Sequence, residues 1–209
     1  FKRDSINLNK FENISLKDVE IANKLNFRIK LLGISEIVDG KLFERVHPCL
    51  VNKDSYIGNV NGVMNAVITE GEPVGESVLQ GEGAGPGPTS SALMSDLLSI
   101  LRGNIKFPFG IPNIKRKSIK VFNYDNYINS LYLRFEVKDK PGVLAQITNR
   151  LALKNISVER LIQIPNYKNK TASIVIITHK SKELDAQHCI NAISKSKNIL
   201  KSVSYTHLT

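Results

Sequence analysis

What most constrains the fold of this chain is the order of hydrophobic periods after residue 130. Leu131, Leu133, Phe135 and Val137 alternate with other residues, the period of a strand. Asp139-Lys140-Pro141-Gly142 breaks the alternation, and Val143, Leu144, Ile147 and Leu151 then recur at helical spacing. Residues 156–164 read as a strand, 166–170 as a polar turn and 172–179 as another strand. A helix over 184–195, carrying Cys189, Ile190 and Ile193, and a strand over 199–203 complete the series. The order βαββαβ predicts a ferredoxin-like split βαβ unit. Such a fold hosts many activities and names none. Residues 205–209 do not continue the strand pattern.

The first half is less regular. Residues 1–13 are polar and show no period. Ser15 with Asp18 three residues on forms a capping box, and the apolar face of Leu16, Val19, Ile21, Ala22 and Leu25 predicts a helix over 16–25. A strand over 28–35, with Leu31 and Leu32 suggesting burial on both faces, leads to the hairpin signal Asp39-Gly40 and a return strand over 42–48. A second strand pair is expected at 60–70 and 74–80, joined by Gly71-Glu72-Pro73. Residues 81–88 hold four glycines and two prolines and are expected to be irregular, with Thr89 as the N-cap of a helix. That helix carries Leu93, Leu97, Ile100 and Leu101 and ends with Arg102 in its last turn and Gly103 at C′. Residues 104–129 form a connector, with 107–112 an extended loop and 115–122 a short strand. The class is α+β: a mixed-sheet region with flanking helices over 1–128, then the ferredoxin-like unit over 129–209.

Charge separates the halves. Of the net +10, residues 1–104 carry 11 Lys/Arg against 13 Asp/Glu, and the rest carry 18 against 6. A basic half of this kind raises an RNA-binding ferredoxin-like domain as a reading, but its strands lack the stacking aromatics that reading requires. Dispersed lysines point to a solvated surface and to no nucleic-acid partner. No apolar run reaches the ~20 residues that span a bilayer, so no membrane is expected. Cys49 and Cys189 lie far apart without metal-ligand spacing, so the expectation is two reduced thiols and no metal. Two reduced thiols fit a cytoplasmic protein, and a chain that begins at Phe1 rather than Met reads as a fragment of a longer one.

The best chemical candidate in the first half is the run Gly81, Gly83, Gly85. Glycines let backbone approach a ligand, and a helix N-terminus behind them favours an anion such as phosphate. The run lacks the Lys-Ser/Thr ending of a P-loop and the spacing of a Rossmann fingerprint. In order and spacing, Val46-His47-Pro48, then Asn59-Val60-Asn61-Gly62-Val63-Met64-Asn65-Ala66-Val67, then 81–89 resemble the homoserine dehydrogenase family over about 14–104. Ser90-Ser91 stands where that pattern has Ala-Ser.

The resemblance implies reduction of L-aspartate 4-semialdehyde to L-homoserine with NADP or NAD as cofactor, in threonine, methionine and isoleucine biosynthesis. It places Gly81, Gly83 and Gly85 against the cofactor, with Asn61, Asn65 and Thr89 in support. The family's Rossmann fingerprint, cation loop and catalytic lysine with its acidic partners lie upstream of this region and have no counterpart in 1–13. No catalytic residue is therefore assigned, and the chain is expected to be inactive alone. His47, with nothing nearby to form an acid–base pair, reads as structural. Residues 1–104 are expected to expose apolar surface that a nucleotide-binding domain would cover.

The second half resembles the ACT domain family. Asp139-Lys140-Pro141-Gly142-Val143-Leu144-Ala145 matches its D-x-P-G-V-L-A turn, and Lys154-Asn155-Ile156-Ser157-Val158 its approach to the second strand. The resemblance implies side-by-side pairing of two copies, hence a homo-oligomer, with an amino acid such as threonine bound at the interface. Asp139, Gly142, Val143, Leu144, Asn155 and Gln163 would contribute to that effector site. The plainer reading of Asp139 is a helix cap, of Asn155 a C′ residue and of Gln163 a solvent-facing side chain. A stand-alone ACT-type amino-acid-binding module is the alternative to an enzyme.

Overall fold

The computed structural model describes residues 7–8, 14–104, 110 and 112–207. By packing, the chain forms two compact units, residues 1–53 with 120–209, and residues 54–119. The expected division at 128/129 follows the ferredoxin-like series, whereas packing joins the first 53 residues to that series.

The larger unit contains the expected βαββαβ unit: β6 (Ile128–Lys138), α3 (Val143–Ala152), β7 (Val158–Asn166), β8 (Thr171–Thr178), α4 (Glu183–Ser194) and β10 (Ile199–His207). A two-residue β9 (Ser181–Lys182) precedes α4. The sheet runs β10-β6-β8-β7 and every pair is antiparallel. The last strand does not stop at Val203. It continues to His207, where Thr206 and His207 pair in parallel with Cys49 and Leu50 of β3 (Lys41–Asn52). Strand β3 pairs along its whole length with β2 (Phe27–Val38), through a turn whose Asp39 and Gly40 both have positive φ, as a type I′ hairpin requires. The two-residue β1 (Asn7–Leu8) flanks β3 in parallel.

This sheet is covered on both faces. Leu131, Leu133, Phe135 and Val137 of β6 pack with Val143, Ile147 and Leu151 of α3 and Ala186, Cys189 and Ile193 of α4. On the other face, Tyr132, Val175, Ile177 and Val203 pack with Ile21 and Ala22 of α1 (Leu16–Lys24) and with Phe27 and Leu50. The alternation of β6 thus hides a second buried face, which accepts a helix from the first half of the chain. The Ser15/Asp18 capping box starts that helix as expected.

The smaller unit contains the hairpin β4 (Met64–Gly71) and β5 (Gly75–Glu82) and the helix α2 (Pro86–Leu101). The sheet runs further into the glycine run, and the helix starts earlier, than expected: Gly81 belongs to β5, and α2 begins at Pro86, before Thr89. Pro86 and Pro88 fit because the first helical turn has no intrahelical acceptors for its N–H groups. At the other end, Gly103 N–H reaches Ile100 C=O and Asn104 N–H reaches Ser99 C=O, a Schellman motif with Gly103 at φ 72°. No residue of α2 is buried, and Leu101 and Leu79 are each 72% exposed. The apolar surface expected of 1–104 is therefore that of the hairpin and α2, whereas much of 14–53 is buried in the larger unit.

Most of 107–112 lies outside the described residues. No strand forms over 115–122. Residues 113–115 make a 3-10 turn, and Val121 forms a single bridge to Leu42.

Candidate functional site

The glycine run folds around Asn65. Gly81 is its cross-strand partner, and Gly83 follows two residues later on the diagonal. Gly83 N–H closes the hairpin end by donating to Val63 C=O at 3.0 Å. A Cβ at Gly83 would overlap Nδ2 of Asn65 and lie 2.6 Å from its Cγ. A Cβ at Gly81 would meet nothing within 4 Å. Gly85, with φ 120°, is the N-cap of α2 and the position where the backbone itself calls for glycine. Gly81, Gly83 and Gly85 are all exposed, so their backbone is open to a ligand.

The phosphate expectation is weakened by the prolines. Of the first three helical residues, Pro86 and Pro88 have no N–H, and Thr89 N–H is already given to Gly85 C=O at 3.2 Å. Gly87 alone of that first turn keeps an N–H to offer an anion. The run suits an uncharged part of a ligand better than a pyrophosphate.

At the expected effector residues, Gly142 takes the left-handed conformation (φ 85°) and caps α3. Val143 is buried and its N–H lies 3.4 Å from Lys140 C=O, a long hydrogen bond, while Leu144 is half-buried at the first turn. Gln163 on β7 donates from Nε2 to Oδ1 of Asp139 at 3.4 Å, so these two exposed side chains meet beside the turn. Asn155 belongs to a helix ending. Its N–H reaches Ala152 C=O at 2.9 Å, Ile156 N–H reaches Leu151 C=O at 3.0 Å, and φ is 54°, a Schellman motif with Asn155 at C′. Among the described strands β7 is an edge, paired with β8 alone.

His47 lies on the inner face of β3, buried beside Cys49, with Nε2 and Sγ 3.1 Å apart. Burial, helped by the charge of Arg45, holds the imidazole pKa down at about 3. Burial pushes the Cys49 thiol up to about 12. This is a neutral imidazole beside a neutral thiol, with no acid–base role near neutral pH. Both cysteines are free and buried, and among the described residues no cluster of three or more His, Cys, Asp or Glu is placed to hold a metal.

Sequence reasoning missed a buried ionic network. Arg134 of β6 donates to Asp18 of α1, to Ser15 and, at 2.6 Å, to Glu136, and Glu136 also receives Lys17 at 3.0 Å. Lys17 and Ser173 are hydrogen-bonded as well. The sequence signal was an arginine at a strand position between buried apolar neighbours.

The family model for homoserine dehydrogenase matches residues 1–98, and the model for the ACT domain matches residues 131–197. The homoserine dehydrogenase of Neisseria gonorrhoeae is 36% identical over 194 residues, 90% of this chain and 45% of that protein. That of Helicobacter pylori is 31% identical over 95% of this chain and 46% of its own length. The crystal structure of a homoserine dehydrogenase from Thiobacillus denitrificans superposes with a TM-score of 0.85 at 29% identity, over 98% of this chain and 48% of that one. The chain spans about half the length of the curated relatives it matches. Mixed helices and sheets ending in an ACT domain, with relatives of one kind along nearly the whole sequence, establish that the chain belongs to the homoserine dehydrogenase family, aligning with the C-terminal part of its members.

Proposed function

We propose that this chain is the cofactor-supporting and regulatory half of an NAD(P)-dependent homoserine dehydrogenase that reduces L-aspartate 4-semialdehyde to L-homoserine. The observation that carries the reading is the exposed glycine run between β5 and α2, lying within the stretch that matches the family. When bound, the dinucleotide supplies the hydride. The part of this chain is to present Gly81, Gly83 and Gly85 as backbone that a cofactor can approach closely. With one free N–H at the start of α2, the run receives the nicotinamide end, which bears no negative charge, and the phosphates are held elsewhere. His47, buried and neutral, takes no part in proton transfer. A general acid is needed beside the carbonyl oxygen, and this half assigns none, so the chain alone is inactive.

The ACT unit (131–197) is the regulatory part in this reading. Two copies pair along the β7 edges, and an amino acid, threonine, binds beside the Asp139–Gln163 pair and the Gly142 turn. The Leu144 amide, with the loosely held Val143 amide beside it, would receive its carboxylate. Coupling of ~1–3 kcal/mol between that site and the dinucleotide site would give a 5–150-fold effect. The enzyme would act in the cytoplasm in threonine, methionine and isoleucine biosynthesis. The test is dinucleotide-dependent homoserine oxidation by a polypeptide joining this chain to an upstream nucleotide-binding half. Activity there, absent from the 209 residues alone, supports the reading, and its absence from a folded full-length protein rejects it.

A further inference from the structure

Gly83 is the one glycine of the run whose Cβ position is already taken by the protein itself. Its φ lies outside the left-handed region, so its own backbone does not demand glycine. A Cβ there would overlap Nδ2 of Asn65, lie 2.6 Å from Cγ and approach Cβ to 3.4 Å. Asn65 is held in place by the β4–β5 ladder, opposite Gly81. With glycines at the cross-strand and the diagonal positions, the Asn65 carboxamide has room to lie flat over the end of the hairpin. There it meets the point where Gly83 leaves β5 to reach the start of α2, and Gly83 N–H is tied to Val63 two residues before Asn65. Among the described residues no hydrogen bond engages the Asn65 carboxamide, and the residue is exposed. It shapes the loop by filling space, and its polar atoms stay available at the loop surface.

We propose that Asn65 is a positioning residue for the cofactor loop: its carboxamide over Gly83 sets the path from β5 to α2, and Gly83 is glycine to admit Asn65. The inference rests on the reading of this loop as a cofactor contact. It differs from that reading in assigning the glycine requirement at residue 83 to an intramolecular partner. Pro86 and Pro88 leave the loop poor in anion-binding N–H groups. What Asn65 positions is therefore the surface for the nicotinamide end of the dinucleotide, away from its anionic phosphates.

A double-mutant cycle in the full-length dehydrogenase tests this, with Gly83→Ala made in the native and in the Asn65→Gly background. Gly83→Ala alone should raise the KM for the dinucleotide about tenfold or more, and in the Asn65→Gly background its further effect should fall to about twofold. Competition by ADP, which lacks the nicotinamide end, should be unchanged throughout. Melting temperatures accompany each variant. Should Gly83→Ala fail to fold, Asn65→Ala keeps the proposal testable, because it keeps the glycine and should raise the KM for dinucleotide without lowering the melting temperature. An equal loss from Gly83→Ala in both backgrounds would overturn the proposal while leaving the cofactor reading intact, since the ligand itself would then require glycine. No change in any dinucleotide parameter in either background would overturn both.

Discussion

Arg134 grips Asp18 through two hydrogen bonds, Nε to Oδ1 at 2.6 Å and Nη2 to Oδ2 at 2.8 Å, and both side chains are buried. One belongs to the stretch matched by the homoserine dehydrogenase model and the other to the ACT domain. The pair is thus a seam between two sequence families inside one packed unit. Burial pushes the Asp18 carboxyl up, but hydrogen bonds from Arg134 and Ser15 outweigh it and hold its pKa below the usual value.

Removing one partner strands a buried charge. Arg134→Met or Asp18→Ala should each lower unfolding stability by about 3–5 kcal/mol, and the double variant should lose clearly less than the sum. Denaturant midpoints of the 209-residue chain measure this. Additive losses would mean the two side chains do not interact. The pair's contribution is complete above the ordinary aspartate value near 3.8 and is lost as pH falls through the lowered one.

His47 gives a second pH dependence at a higher window. In the unfolded chain it takes up a proton near 6.5, whereas in the fold burial and Arg45 delay protonation to about 3. Between those values the unfolded state holds the extra proton, so stability falls as pH drops, by up to ~1.4 kcal/mol per pH unit. Melting between pH 6.5 and 4.5 should show this slope, and His47→Gln should flatten it. A slope unchanged in the variant would assign it to other groups.

Asn155 separates a cap from a ligand contact. Glycine tolerates its left-handed backbone, so Asn155→Gly should shift stability by less than about 0.5 kcal/mol, while Asn155→Ala should cost about 1 kcal/mol. If Asn155 acts only as the C′ residue, threonine affinity stays the same in Asn155→Gly. A large loss of threonine affinity at unchanged stability would make it an effector contact.

The elements legible in the sequence were those set by local periods and caps. The βαββαβ series, the Asp39-Gly40 hairpin, the Ser15/Asp18 box and the Gly103 ending each depend on neighbours within a few residues. What stayed hidden depends on distant partners. For strand β6 only the apolar alternation is visible in the sequence, while Tyr132, Arg134 and Glu136 on its other face await α1 from more than a hundred residues upstream. The extension of β10 to His207 needs β3 as its partner. At the glycine run, composition suggested a loose loop, yet Gly81 is paired in the sheet and Pro86 already helical. Glycine counts alone do not separate a ligand's approach from that of a side chain such as Asn65.

The most direct test of the account is a calorimetric titration of threonine into the 209-residue chain, with methionine, isoleucine and lysine as controls. Saturable binding of threonine alone is the predicted result, and it would make the ACT unit a working threonine sensor. No heat from any of the four, in a sample shown to be folded and paired, would contradict the regulatory role and leave that unit as a dimerisation element.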